Sequence, residues 1–205
     1  MTELAIVYAS VLNGLTMGAV YALIALGLTL IYGVLHIINF AHGAALMMAL
    51  YGVYGLKESF GLDPYASLPV MIPAMFGVGY VLQRWVIQKA SHGKDENILL
   101  VTLGLAIVLE NLALLWFKSD TRTIDTAYTL ATLELGSATI ALPKLVAFAG
   151  ALVVSALLWL VMSKTDLGRA IRAVAREKVG AQLMGIDVAH VYAMSFGIEI
   201  GRAHV

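Results

Sequence analysis

The sequence predicts an all-α fold, a polytopic bundle of transmembrane helices, and three observations carry that prediction. Of its 205 residues 60% are hydrophobic, and the mean hydropathy is +0.88. Only 13% are charged, against about 25% in an ordinary soluble domain. No Asp, Glu, Lys or Arg occurs between Leu4 and Leu56. The 13 basic and 13 acidic residues cancel, which leaves a nucleic-acid partner without electrostatic support. Cysteine is absent, which excludes disulfide frameworks and thiolate metal sites. The first basic residue is Lys57. The N-terminus therefore lacks the basic segment of a signal peptide, and the opening apolar run is expected to belong to the mature protein.

A spanning helix takes about 20 apolar residues. The run 4–56 is too long for one, and two helices joined near Gly33 to Asn39 fit it. Further spans are expected at 64–83, beginning "PYASLPVMIPAMFGVGYV"; at 97–117, "NILLVTLGLAIVLENLALLWF"; and at 145–163, "LVAFAGALVVSALLWLVMS". A sixth begins at "VAHVYAMSFGI" and stops short. One transmembrane domain over 1–198 is expected, truncated at the C-terminus, with about five complete spans and the start of a sixth. Pro69 and Pro73 predict a kink or a late helix start in the third span, tolerable where neighbours satisfy the freed carbonyls. Gly14, Gly18 and Ala22 recur every fourth position and form a small-xxx-small face. Packing within the same subunit is favoured for it over seating a partner subunit. "ATLELGSATIALP" carries enough β-branched residues for a short hairpin.

Loop charge sets orientation. Arg84, Lys89 and Lys94 follow the third span, and Lys164, Arg169, Arg172, Arg176 and Lys178 follow the fifth. The stretch 57–63 holds Lys57 against Glu58 and Asp63, and 118–144 sets Lys118, Arg122 and Lys144 against Asp120, Asp125 and Glu134. The two basic loops are therefore expected in the cytoplasm and the N-terminus outside.

Two segments carry polar pattern beyond this. In "TDLGRAIRAVAREKVGAQLMGID", Arg169, Arg172 and Arg176 share one helix face, with Leu167, Ile171 and Val174 opposite. Thr165 or Asp166 can cap its start, and Gly185 ends it. A helix of this kind serves as a surface helix attracted to anionic lipid, a positive-inside anchor, or a docking element. In "YGVLHIINFAHG", Asn39 and His42 lie three apart and share a face if helical. Uncharged polar groups inside a membrane point into the bundle or towards a water-filled path. Inter-helix hydrogen bonding by Asn39 and a headgroup-level position for His36 explain them equally well. Glu110 is the only acid well inside an expected span. It either lines a path or, the favoured reading, reaches water near the outer end of its helix.

Nothing points to catalysis, a metal or a cofactor. No G-x-x-x-x-G-K-[ST] is present: "SHGKDEN" lacks the first glycine and continues with Asp. No H-E-x-x-H occurs, and the six-residue separation of His36 and His42 is wrong for one helical metal face. No G-x-S-x-G nucleophile is found.

"NGLTMGAVYALIALGLTLIYGVLHIINFAHG", "LLVTLGLAIVLEN" and "TDLGRAIRAVAREKVGAQLMGID", in that order from about residue 11 to 198, strongly resemble permease subunits of branched-chain amino-acid ABC importers of the LivH type. The resemblance implies a multi-pass protein of the bacterial inner membrane with no ATPase of its own. Its implied partners are a second homologous permease, two cytoplasmic ATPase subunits that bind the ATP, a periplasmic or extracellular substrate-binding protein, and membrane lipid. It assigns ATPase coupling to the loop Thr165–Asp187, with Arg169 and Arg172 on it and Ala175, Ala181 and Gly185 in the places of the family's small residues. It also puts "INFAHG" at the start of the second span, near the translocation path, which makes Asn39, His42 and Glu110 the path candidates. The same architecture carrying urea or short-chain amides is the alternative. An ion-coupled secondary transporter is disfavoured by the lack of several buried carboxylates and of an obvious inverted repeat.

The end of the chain departs from the family. "IGRAHV" puts Arg202 and His204 where an apolar helix should continue. It back-translates to ATC GGA AGA GCA CAC GTC, a common sequencing-adapter sequence. Residues 199–205 are accordingly expected to be foreign to the protein.

Overall fold

The computed structural model describes residues 2–35, 38–91, 95–119, 122–124, 126, 128–135 and 138–202. His36, Lys94, Asp120, Asp125 and His204, singled out in the sequence, lie outside them. The chain runs α1 (Thr2–Leu35), α2 (His42–Phe60), α3 (Pro64–Val81), a π-helical segment (Leu82–Ile87), α4 (Gln88–Ala90) and α5 (Asp95–Phe117). A hairpin of β1 (Thr132–Leu135) and β2 (Ala138–Ala141) follows, then α6 (Leu142–Lys164), α7 (Asp166–Arg176), α8 (Lys178–Leu183) and α9 (Val188–Arg202). The fold is all-α apart from that hairpin.

Among the described residues four helical stretches are long and apolar enough to cross a membrane: Ile6–Gly33, Pro64–Ala90, Asn97–Phe117 and Leu142–Lys164. α2, with 19 residues, is not among them, since His42, Lys57, Glu58 and its tyrosines dilute its apolarity. α3 corrects one expectation: it starts at Pro64, where a missing N–H costs nothing, and runs through Pro69 and Pro73 rather than starting late. Asp63 caps it by accepting from Tyr65 N at 2.9 Å. The expected hairpin forms, antiparallel, with Thr132 opposite Ala141 and Leu135 opposite Ala138.

The interior gathers where α1, the π segment, α7 and α9 meet. Ile31, Ile87, Ile171, Phe196 and Ile200 are all fully buried there. In a bilayer the lipid tails are as apolar as these side chains, so close packing holds helices together rather than exclusion of water. The α3–α9 contact shows how close. A Cβ on Gly79 would lie 2.8 Å from the Phe196 carbonyl oxygen, and one on Gly197 would lie 2.9 Å from that of Phe76. Only hydrogen at these positions lets the two backbones meet. The small face of α1 behaves differently. Gly14 and Gly18 are exposed, with nothing within 4 Å of a Cβ built on them. Packing of this face within the subunit, the favoured expectation, is therefore not found among the described residues.

Candidate functional site: a buried polar turn and a basic loop

Between α1 and α2 the chain leaves helical geometry, and residues 38–41 form an irregular turn. Non-helical backbone at membrane depth survives only where protein or water satisfies it, and here side chains do so. Asn39 Oδ1 accepts from Ala41 N at 3.0 Å, and Thr102 Oγ1 accepts from Phe40 N at 3.3 Å. Asn39 O accepts from His42 N at 3.3 Å and starts α2. Thr102 stands about 10 Å along α5 from Asp95, at 1.5 Å per residue, so the turn lies well inside the bundle. Asn39, Ala41, His42 and Thr102 are all buried.

The opening created by the turn is filled from α9. Glu199, 1% exposed, accepts from Asn39 Nδ2 at 3.1 Å and places Oε1 2.7 Å from His42 Nδ1. His42 Nε2 is buried without a hydrogen-bond partner among the described residues. Asn39 and His42 therefore share one polar cluster, as their spacing suggested, although Asn39 precedes the helix. Glu110 does not join them. It is exposed on α5 and makes no hydrogen bond or ion pair among the described residues. Thr102 carries no motif in the sequence. Its only signal is a lone hydroxyl in an apolar span, and that is too common to single out.

The basic loop folds as two helices and not one. Thr165 caps α7, its Oγ1 accepting from Gly168 N at 3.1 Å. Extended backbone at Glu177 breaks the helix, and Glu177 Oε1 accepts from Val179 N at 3.2 Å to start α8. Ile171 and Val174 are buried, while Arg169, Arg172 and Arg176 are exposed, as the pattern required. Arg169 pairs with Asp166, and Arg172 donates to the Met162 carbonyl at the end of α6. Ala175 is half-buried and Ala181 is buried in the subunit's own core. Gly185 takes φ +82°, the left-handed conformation that glycine adopts without strain, and Ile186 N donates to Ala181 O at 3.1 Å beside it. The outward apolar surface of the loop is Val179, Leu183 and Met184, the last two 83% exposed. Sequence reading passed over these three, because "KVGAQLMG" is too short to show a periodic face.

A further glycine matters more than its sequence context suggests. A Cβ on Gly168 would stand 2.6 Å from the Val161 carbonyl oxygen and collide with the Met162 carbonyl. The turn from α6 into α7 is closed to any larger residue.

Comparison with known proteins gives the family of the chain. The family described as branched-chain amino acid transport system / permease component matches residues 10–199. The high-affinity branched-chain amino acid transport system permease protein BraD of Pseudomonas aeruginosa is 31% identical over 208 residues, covering 94% of this chain and 67% of its own length. The corresponding LivH protein of Salmonella typhimurium is 28% identical over 206 residues, with the same coverage. A probable LivH permease of Methanocaldococcus jannaschii is 31% identical over 180 residues, covering 81% of this chain and 54% of its own length. No solved structure matches. The matched proteins are transport permeases and not enzymes, and with four apolar helices long enough to span and a family match over nearly its whole length, this chain belongs to the permease components of branched-chain amino acid transport systems.

Proposed function

We propose that the chain is a translocating subunit of an ATP-binding-cassette importer for branched-chain or related amino acids. In that assembly it works with a second homologous permease, two cytoplasmic ATPases and an external substrate-binding protein. The observation that carries the reading is the buried turn at 38–41. A membrane helix pair gains nothing in stability from irregular backbone, and such backbone at depth is a feature of membrane proteins that form a path. The matched relatives are branched-chain amino acid permeases by name, which favours that cargo. Asn39 and His42 are the path residues in this reading. Glu110 can serve only by facing another subunit or lipid, because it is exposed and apart from them.

The basic loop is the coupling element. Arg169, Arg172, Ala175, Ala181 and Gly185 fall to different tasks in it. The arginines and Ala175 belong to the shape of α7, Ala181 seats α8 on the core, and Gly185 turns the chain into α9. Orientation follows loop charge, with the N-terminus outside and the five basic residues from Lys164 to Lys178 in the cytoplasm. Because the chain has no cysteine, a single Cys placed beside Lys178 tests this. Reaction with an impermeant reagent in intact cells refutes it. Glu199 lies within the family match and in the polar cluster, so the foreign tail, expected over 199–205, is proposed for residues 200–205, which carry the adapter-like back-translation. Resequencing the source locus across codon 199 decides it, and recovery of Glu199 to Val205 followed by a stop in independent reads ends the idea.

The function is tested with the full-length permease pair, its ATPases and its binding protein in proteoliposomes. ATP-dependent leucine uptake, lost in Asn39→Ala and His42→Ala, is the expected result. Uptake of urea but not leucine, or leucine uptake driven by an ion gradient without ATP, overturns it.

A further inference from the structure

A second polar cavity lies away from the buried turn, on the face that carries the basic loops. Its volume is about 230 Å³, and the π segment, α4, the start of α5, α8 and the start of α9 enclose it. Gln83 projects from the π segment into its wall. That side chain is 1% exposed, yet neither its carboxamide nitrogen nor its oxygen has a hydrogen-bond partner among the described residues. Gln88 Oε1, on the same wall, is also buried and unpartnered. Two amides aimed into one cavity with three polar atoms unused are costly to maintain, and a native structure that keeps such groups calls for an account of what they bind. The π geometry is part of the same feature. Gln88 N donates to Gln83 O, five residues back, and π turns inside helices concentrate at functional sites because the extra residue re-aims a side chain.

The remaining lining defines the occupant. Lys178 Nζ lies 5.5 Å from the centre of the Tyr192 ring, and both residues border the cavity, as do Ile98 and Val188 on the apolar side. A cation that a ligand would share with its present partner, the three unused amide atoms of Gln83 and Gln88 and an aliphatic wall match a small molecule with a carboxylate, an ammonium and an apolar tail. A carboxylate takes the Lys178 ammonium and the Gln83 N–H bonds. An ammonium takes the Gln83 and Gln88 oxygens, and the tail lies against Ile98 and Val188. Water meets the amides, with Ser91 and Gln182 also on the lining, but a water on the Ile98–Val188 side lacks the two to four polar partners it needs, so water alone leaves that wall unmatched. The cavity is also smaller than the roughly 300 Å³ at which sites for drug-sized ligands begin, which suits a single free amino acid.

We infer that this cavity binds a free apolar amino acid on the side of the membrane that bears the basic loops. Naming the transported amino acid as the occupant rests on the proposed function, while the zwitterion chemistry rests on Gln83, Gln88 and Lys178 alone. An occupant bridges the π segment to α8 and α9 and resists their separation. Accumulated product therefore slows further transport.

The test uses the full-length permease–ATPase assembly in nanodiscs, without the binding protein, and radiolabelled L-leucine as the probe. Saturable binding is expected, weakened roughly tenfold or more in Gln83→Leu and in Lys178→Gln, the scale of one lost charge-assisted hydrogen bond. Tyr128→Phe, which loses a hydroxyl bonded to Asp63 away from this cavity and from the buried turn, should leave this binding unchanged. In proteoliposomes, L-leucine loaded on the loop side should lower the uptake rate of the wild type relative to unloaded vesicles, and this ratio should approach one in Gln83→Leu. Two results overturn the inference: leucine binding that is equal in the wild type and both variants, and no saturable binding at all. A Gln83→Leu protein that melts higher with leucine binding intact marks the cavity as water-filled only. Absence of leucine uptake in unloaded wild-type vesicles counts against the proposed function instead, and leaves the binding measurement to decide the site.

Discussion

Replacing Gly168 by alanine adds one methyl group at the turn that carries α7, and the structure sets the size of the effect. The new Cβ would stand 2.6 Å from Val161 O and closer still to Met162 O, so the α7 backbone must withdraw by at least about 0.8 Å to reach ordinary contact at 3.4 Å. The atoms opposite are carbonyls of α6, which cannot rotate aside. A gap of that size forfeits roughly a quarter to a half of the dispersion energy across it. The contacts at stake are those of Ile171 and Val174, both buried, and a buried side chain of this type stabilises by about 1.5–3 kcal/mol. The loss is then about 1–3 kcal/mol. Alanine regains up to about 1 kcal/mol over glycine in a helix interior, less in a first turn. A net destabilisation of about 1–2 kcal/mol follows, or roughly 2–8 °C in Tm for a chain of this size. Gly180→Ala is the control in the same loop. Its Cβ would meet only the flexible Glu177 side chain, at 3.1 Å, so its Tm should hold or rise. Thermal unfolding of the two purified variants in detergent, followed by Trp fluorescence, provides the readout. If Gly168→Ala melts at or above the wild type, or Gly180→Ala falls as far, the packing argument for this turn is wrong.

Three further predictions concern separate parts of the molecule. Asn39→Ala should cost about 1–3 kcal/mol, the scale of a buried donor left unpaired, because Ala41 N loses its acceptor; full thermal stability would show that water takes over. Leu183→Ser with Met184→Ser should reduce ATPase co-purification while Tm holds, whereas Arg169→Ala, an exposed charge, should change little; retention of the ATPases by the double variant would remove the α8 surface from the coupling contact. Ala181→Trp, at a buried position, should lower stability as well as transport. At the start of α3, the Tyr128 hydroxyl donates to Asp63 Oδ2 at 2.7 Å and holds that carboxyl below its ordinary pKa. Burial, and then Asp63 itself, pushes Tyr128 up to about 12. A depressed carboxyl contributes stability above its unfolded pKa, about 3.9, and loses it as pH falls through the lower folded value. The raised phenol contributes below about 10 and loses its share as pH rises through about 12. The Tm difference between wild type and Tyr128→Phe should therefore be present at neutral pH and shrink in acid. A difference that persists undiminished at about pH 2, beneath the ordinary carboxyl range, would dissociate it from Asp63.

Much of this was legible in the residues. Long apolar runs, the β-branched hairpin, the two faces of α7 and the left-handed turn at Gly185 each follow from a local rule that tertiary structure had no reason to override. The Asn39–His42 cluster was half legible. Their spacing joined them, but the partner groups Thr102 and Glu199 come from helices 62 and 160 positions away, and no short-range pattern encodes that. Gly14 and Gly18 show the reverse limit. A small-residue face states that something can approach closely, but not whether the partner is in the same chain. The π segment was invisible for another reason: an i+5 hydrogen bond depends on how α3 and the segment itself meet α9, and "LQRWVI" reads as ordinary helix.

The length of α1 has a consequence for the membrane itself. Its apolar stretch Ile6–Gly33 counts 28 residues, which at 1.5 Å each gives about 42 Å against a hydrocarbon core of roughly 30 Å. A mismatch of that size is accommodated by tilt or by local thickening of the bilayer. α1 also packs along α6 and α9, so its tilt cannot change alone. Lipid chain length thereby acts on the angle between α1 and the two helices that flank the basic loop, and bilayer thickness becomes a mechanical input to the bundle.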